Sequence, residues 1–421
     1  MTLPAPHPLH HRMAHTDSPS GASVPAERAL QGSGAASPVI GDPEVKDLRL
    51  GFLPLTDAAP LLVAVEKGFF AAEGLNAQAA KVSSWTASRD ALANGSVHAS
   101  HMLYSMPLAS RLGILGPECT PLVIPWVLSR NGQAITLARA HAGKVGTEAR
   151  ALYRTTMDRR DAGRPLVFAQ TLPPGTHSMW LRYWLAEGGI DPDRDVALIT
   201  IPPPMMVRNM AGGRLDGFCA GEPWNAIAQL QSTGFTAITS DALWPNHPEK
   251  VCAFQADFAE QNPRTVKAVL RALHASGKWC DDPVNAAELA ALLARPEHLD
   301  CPAETVRARI QPGFEFGDGR RSGPGSAPVF SSGLTNLPDA VECLWFLSQY
   351  RRWGFIGGIP NYAGITASVL RTDLYHEAMA EAGVLSLPST RPVVRLLGGA
   401  EFDPSQPEAY AQSFAIKSPR D

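Results

Sequence analysis

Apolar positions in this chain come in short extended runs separated by helical ones. Leu48, Leu50, Phe52 and Leu53 form a β-rich run that Pro54-Leu55-Thr56-Asp57 breaks as a turn. Asp57 is placed to cap a helix from about Pro60, with Leu61, Leu62, Ala64 and Val65 on its apolar face and Gly68 as its stop. Strands over 75–82 and 97–103 then flank a helix over 86–93 that Asn94-Gly95 ends. Strand and helix in alternation predict a parallel α/β sheet.

Extended runs over 121–128 and 134–138 flank the turn signal Asn131-Gly132, so the chain there forms a hairpin or crosses to a second lobe. Alternation restarts beyond it, with strands over 166–170, 196–201 and 216–220 and a helix over 177–186 closed by Gly188-Gly189. Past Val251 the apolar spacing becomes three and four, predicting helices over 266–279, 286–293 and 340–353. The Gly-, Ser- and Arg-rich stretch 317–332 reads as a surface loop. The resulting plan is a tail over 1–46, lobe I from 47–137 plus 251–385, lobe II over 138–250, and an extended C-terminal tail over 386–421.

Length agrees with this plan, since 421 residues at about 150 per domain allow two or three domains. A 45% hydrophobic and 18% charged composition is that of an ordinary globular protein, and no apolar run approaches the roughly 20 residues a membrane helix needs. Lys and Arg number 37 against 40 Asp and Glu, too few to neutralise many phosphates, so direct nucleic-acid binding is not expected. The six cysteines are dispersed without a C-x-x-C pair, which removes the usual signature of zinc or redox chemistry. Residues 1–46 carry His, Pro, Ser, Gly and Ala without the continuous apolar stretch of an export signal, and are expected to be a disordered tail of a cytoplasmic protein. His7, His10, His11 and His15 in that tail are candidate metal ligands only in the weak sense of any His-rich tract, and Met13 is a candidate start.

Candidate chemistry gathers at strand ends, where open α/β sheets present ligand contacts. Trp85 follows a strand through Ser83-Ser84, Gln133 follows the Asn131-Gly132 turn, and Glu222-Pro223-Trp224-Asn225 follows the strand over 216–220. Lys250 stands where the second lobe returns to the first. Pro173-Pro174-Gly175-Thr176 leads into a helix whose start, with His177 beside it, offers N–H donors and a positive helix end to an anion. Singly, each of these is an ordinary half-buried aromatic, amide or lysine, and Met179, Trp180, Tyr183 and Trp184 read as core. Together they describe a donor-rich cleft. No G-x-S-x-G, H-E-x-x-H, Walker A or strand-linked G-x-G-x-x-G is present, so the cleft is expected to bind rather than transform its ligand.

Longer runs carry a family likeness. Gly51-Phe52-Leu53-Pro54-Leu55-Thr56-Asp57, Glu66-Lys67-Gly68-Phe69-Phe70, His101-Met102-Leu103, Asn131-Gly132-Gln133, Gly175-Thr176-His177-Ser178-Met179-Trp180, Gly221-Glu222-Pro223-Trp224-Asn225 and Asn246-His247-Pro248-Glu249-Lys250 resemble the NrtA-type nitrate-binding branch of ABC-transporter solute-binding proteins. The resemblance spans about residues 48–362. It implies a periplasmic-binding-protein-like fold of type II, two α/β lobes closing over a cleft, and no resident cofactor. It assigns nitrate or nitrite contacts to Trp85, Gln133, His177 and Lys250, with Gly175 contributing through its backbone. Bicarbonate-binding relatives place a carboxylate at the position of Lys250 and recruit calcium. Without an export signal or lipid-anchor cysteine, the chain most resembles the NasS-type cytoplasmic sensor, which holds an ANTAR-class RNA-binding antiterminator until the ion binds. The alternatives are an exported transporter component and, among enzymes, a pyrimidine-precursor synthase of the same fold, whose clustered cysteines this chain lacks.

Overall fold

The computed structural model describes residues 41–116, 120–385 and 393–418. The expected N-terminal tail lies outside the described residues up to position 40, histidines and Met13 included. Its last residues are docked rather than free: the Glu44 carboxylate accepts from the backbone N–H groups of Arg264 (3.1 Å) and Thr265 (2.7 Å).

Ten strands build two sheets: β1 Asp47–Phe52, β2 Asn76–Lys81, β3 Ala99–Leu103, β4 Leu122–Arg130, β5 Gln133–Ala138, β6 Leu166–Gln170, β7 Val196–Thr200, β8 Gly217–Gly221, β9 Gly234–Thr239 and β10 Pro248–Gln255. The first sheet has the order β2-β1-β3-β10-β4 and the second β7-β6-β8-β5-β9. In each, the fourth strand alone is reversed: β10 is antiparallel to β3 and β4, and β5 to β8 and β9. The sheets are therefore mixed rather than purely parallel. Both reversed strands are the ones that arrive directly from the other lobe.

That topology moves the expected lobe boundaries. Gln133 pairs with Gly221 at the start of the β5–β8 ladder, so 133–137 belong to the second lobe, and 248–250 belong to the first because β10 pairs with β3 and β4. The crossings lie at Asn131-Gly132 and between β9 and β10. At the first crossing both residues have positive φ (56° and 77°), and a Cβ on Gly132 would fall 2.8 Å from Pro328 Cβ, so only glycine fits that turn and that contact.

The first lobe is backed by helices Ala59–Glu66 and Pro263–Asp281. In the longer one Val266, Val269, Leu270 and Leu273 recur at helical spacing and bury against Leu61 and Leu62. The expected surface loop over 317–332 is instead part of a strap along the second sheet. The Thr236 N–H donates to the Phe316 carbonyl (2.8 Å), the Arg320 guanidinium donates to the carbonyls of Thr236 and Ala237 (3.0 Å each), and Ser326, Ala327 and Phe330 are buried. Its Gly and Ser content masked the pairing it makes with the open edge of β9.

The expected extended C-terminal tail is likewise folded over 393–418. A short ladder pairs Val394–Arg395 with Glu401–Phe402, and helix Pro407–Gln412 packs on helix Ala340–Arg352. Tyr183 donates to the Leu397 carbonyl (3.1 Å) and the Arg352 guanidinium sits 3.5 Å from the Phe414 ring centre. Among the described residues no helix is long and apolar enough to cross a membrane.

Candidate functional site

The carboxyl ends of both sheets and the two crossings meet in one buried polar cluster. Asp57 follows β1 in the short turn Thr56–Ala58, His101 lies on β3, and Glu249 and Lys250 are neighbours on β10. Adjacent strand residues ordinarily face opposite sides of a sheet. Here the β10–β4 register shifts on either side of Lys250, and that irregularity lets both side chains reach the same space. The second lobe contributes Gln133 at the first position of β5 and the start of helix Thr176–Glu187.

Lys250 Nζ is the centre, 2.7 Å from Asp57 Oδ2 and 2.7 Å from Glu249 Oε1. Trp85 opens the helix Trp85–Ala93, which Ser84 caps, and its ring lies 5.6 Å from Lys250 Nζ and 5.5 Å from the His101 ring. Across the lobes, Gln133 Nε2 donates to Asp57 Oδ2 (2.9 Å) and Gln133 Oε1 accepts from His177 Nε2 (3.0 Å). His177 Nε2 also lies 3.1 Å from Glu249 Oε1, and its Nδ1 is 2.9 Å from Thr171 Oγ1. Glu249 further accepts from Thr176 Oγ1 (2.9 Å) and Trp180 Nε1 (3.2 Å), and the Trp180 ring stacks on Trp345 with centroids 5.1 Å apart.

Burial and neighbouring charges compete over the protonation of this cluster. Burial would raise the Asp57 carboxyl, but Lys250 and His101 outweigh it and hold that group at about 2. Burial opposes ionisation of Glu249 as well, and Lys250 and His177 bring it well below the usual carboxylate range. The Lys250 ammonium is raised by Asp57 and Glu249 against the burial that would lower it. Burial leads in lowering His177 and His101, so both imidazoles favour the neutral form.

The structure thus brings Trp85, Gln133, His177 and Lys250 into one site, with none more than 2% exposed. Gly175 caps the Thr176 helix, but its own N–H donates to the Leu172 carbonyl (2.9 Å). Its contribution is room: a Cβ there would fall 2.7 Å from Leu103 Cδ1 of the opposing lobe. Glu222 and Asn225 turn away from the cluster. The Glu222 carboxylate accepts from the Ala226 N–H (3.0 Å), and Asn225 is taken up by Thr136 and the Ala220 carbonyl.

Sequence reading missed Asp57, His101 and Glu249. It took Asp57 for a helix cap and Lys250 for the cleft's full positive charge, whereas Lys250 is paired with two carboxylates. The available signal was a charged residue directly beside Lys250 and another just past a buried strand end. Among the described residues no group of His, Cys, Asp and Glu is arranged to hold a metal ion.

Two α/β lobes joined by crossing strands, with polar groups from both facing one interlobe site, define a binding protein of the periplasmic-binding-protein-like class. Residues 41–294 match the NMT1-like family. The nitrate/nitrite binding protein NrtA of Synechococcus elongatus is 36% identical over an alignment of 416 positions that covers 96% of this chain and 92% of that protein. The bicarbonate-binding protein CmpA of the same species is 32% identical, with 89% and 88% covered. The crystal structure of the periplasmic nitrate-binding protein NrtA from Synechocystis PCC 6803 superposes with a TM-score of 0.84 at 35% identity, covering 89% of this chain and all of that one. The chain belongs to the NMT1-like family and, within it, to the NrtA-type group of solute-binding proteins.

Proposed function

We propose that the protein binds nitrate or nitrite between its lobes through Trp85, Gln133, His177 and Lys250, with Gly175 keeping the cleft narrow. The carrying observation is the Lys250 ammonium beside the Trp85 ring, with Gln133 and His177 of the second lobe reaching the two carboxylates that flank it, Asp57 and Glu249. Nitrate is a planar monoanion with acceptor oxygens and no proton to give, and a cation, N–H donors and a flat wall suit it. The relatives named for nitrate and nitrite support the same ligand. With four heavy atoms at about −1.5 kcal/mol each at best, affinity should lie near −6 kcal/mol, or tens of micromolar.

Calorimetric titration with nitrate, nitrite and bicarbonate tests this reading, and heat with none of the three rejects it. Trp85→Ala should weaken the ion's binding by roughly 1–3 kcal/mol through the lost wall. An unchanged isotherm returns Trp85 to ordinary packing.

The role proposed for that binding event is sensing: in the cytoplasm, the ion-free protein holds an ANTAR-class antiterminator and releases it when the ion binds. The sequence resemblance to NasS-type sensors supports it. A second reading, the solute-binding component of a nitrate or nitrite ABC transporter, is supported by the relatives' own names and fits the same site. Co-purification with the antiterminator, with and without millimolar nitrate, separates them. Sensing requires a complex that nitrate dissolves, because a ligand with equal affinity for both states shifts nothing. A complex indifferent to nitrate, or none, leaves the transporter reading.

A further inference from the structure

The interlobe cluster sets a charge problem for the ligand proposed above. Asp57 and Glu249 contribute two negative charges and Lys250 one positive, so with neutral imidazoles the core of the site already carries one excess negative charge. An entering monoanion makes the excess two, in a space whose side chains are almost wholly shielded from water. Uncompensated buried charge is strongly disfavoured, so a positive charge must enter with the ion.

Hydrogen-bond partners decide where it goes. Both carboxylates are surrounded by donors and face no acceptor: Asp57 meets His101, Gln133 and Lys250, and Glu249 meets Thr176, Trp180, His177 and Lys250. A proton on either would displace one of them. His101 turns Nδ1 toward the backbone N–H of Leu53 (3.4 Å), a fixed donor that cannot reverse. His247 packs against Trp180 with Nδ1 at the Pro248 carbonyl (3.0 Å), and its Nε2 is buried with no partner, so a second proton there would lack an acceptor. His177 differs. Its Nε2 faces acceptors, Gln133 Oε1 and Glu249 Oε1, and its Nδ1 faces the Thr171 hydroxyl, which donates to a neutral ring and accepts from a charged one by rotating.

We propose that His177 takes up a proton from solvent as the anion enters, so that the protein binds its ligand as an anion together with a proton. The added proton sits on Nδ1 and points to Thr171 Oγ1, whose own hydrogen swings away. The charged groups facing the ring are Glu249, Lys250 and Asp57, all from the first lobe. Glu249 and Asp57 favour the imidazolium and Lys250 opposes it. The ligand-free ring is held below its ordinary value chiefly by burial, and the incoming anion raises it, which is the condition for uptake.

The inference rests on the nitrate reading, and one set of titrations tests both. Sodium nitrate is titrated at pH 7.5 in buffers of low and high ionisation enthalpy, with EDTA present, and affinity is followed from pH 6 to 8. The expected result is uptake of about one proton per nitrate, and affinity that falls by up to roughly tenfold per pH unit between the titration of the ligand-free ring and that of the liganded one, levelling off above the latter. Thr171→Ser should preserve the uptake. Thr171→Val, which keeps the ring but removes its switchable partner, and His177→Gln should lose it while binding more weakly. Nitrate binding with a buffer-independent enthalpy and a flat pH profile overturns the proton proposal alone, as does binding that EDTA abolishes and calcium restores. No binding of nitrate or nitrite at any pH overturns the ligand reading and this inference with it.

Discussion

Lys250 carries an electrostatic load as well as a proposed ligand contact. Its ammonium stands 2.7 Å from two buried carboxylates, and deleting one partner of a buried ionic group typically costs about 3–5 kcal/mol. Lys250→Ala should therefore lower unfolding free energy by about that amount in a urea titration. A loss below about 1 kcal/mol would show that Asp57 and Glu249 are held well enough by Gln133, His101, Thr176 and Trp180 alone. Acid should reveal the same coupling. The Asp57 carboxyl, at about 2 instead of its ordinary 3.8, contributes stability that is present above the ordinary value and lost as pH falls from about 4 to about 2. The difference corresponds to about 2 kcal/mol, and Asp57→Asn should flatten that part of the acid-unfolding curve. At this scale the sequence was legible in one sign only. Gln133, His177 and Lys250 stood at strand and helix ends and read as donors, with Trp85 as a wall beside them. Asp57 and Glu249 did not suggest themselves because an acid beside an anion contact makes sense only once the lysine between them is seen.

Among the elements, the helix Thr176–Glu187 brings its start against the first lobe, at Glu249 and Leu103. Its cap, Gly175, lies against Leu103 at the end of β3, and a methyl group there would come within 2.7 Å of Leu103 Cδ1 and 3.0 Å of the Leu172 carbonyl. Gly175→Ala should hold the lobes apart, enlarging the radius of gyration in solution scattering, at a stability cost of about 1–3 kcal/mol. Gly175→Ala combined with Leu103→Ala should restore the compact form. If the single variant scatters like the parent, the clash is relieved locally and Gly175 has no part in closure. Most strands and the Thr176 helix were readable from alternation and from Asn-Gly and Gly-Gly stops, because each buries its own apolar face. The strap beside β9 and the folded C-terminal segment were not, since their order comes from distant partners: Thr236 for Phe316, and Tyr183 and Arg352 for Leu397 and Phe414.

Across the whole molecule, each lobe inserts one strand from the other side of a crossing as its reversed fourth strand, β5 in one sheet and β10 in the other. Those two strands carry Gln133 and the Glu249-Lys250 pair, so the segments that connect the lobes also hold the site's central contacts. A lobe boundary drawn from turn signals misses this by a few residues, because Asn131-Gly132 marks the bend and not which sheet claims the strand after it. It also means that any change in the angle between lobes is felt first at Gln133 and Lys250.

The burial of Trp85, Gln133, His177 and Lys250 between lobes has a consequence in time. An ion bound there as proposed would be enclosed by side chains from both halves with no way out past a fixed wall, so its escape would wait for the halves to part. The residence time of the ligand is then the waiting time for opening, a property of the protein rather than of the ion. Stopped-flow release of nitrate and nitrite should give the same rate constant, with any difference in affinity between them lying in capture. Two distinct release rates would mean that each ion breaks its own contacts first and leaves through a cleft already ajar.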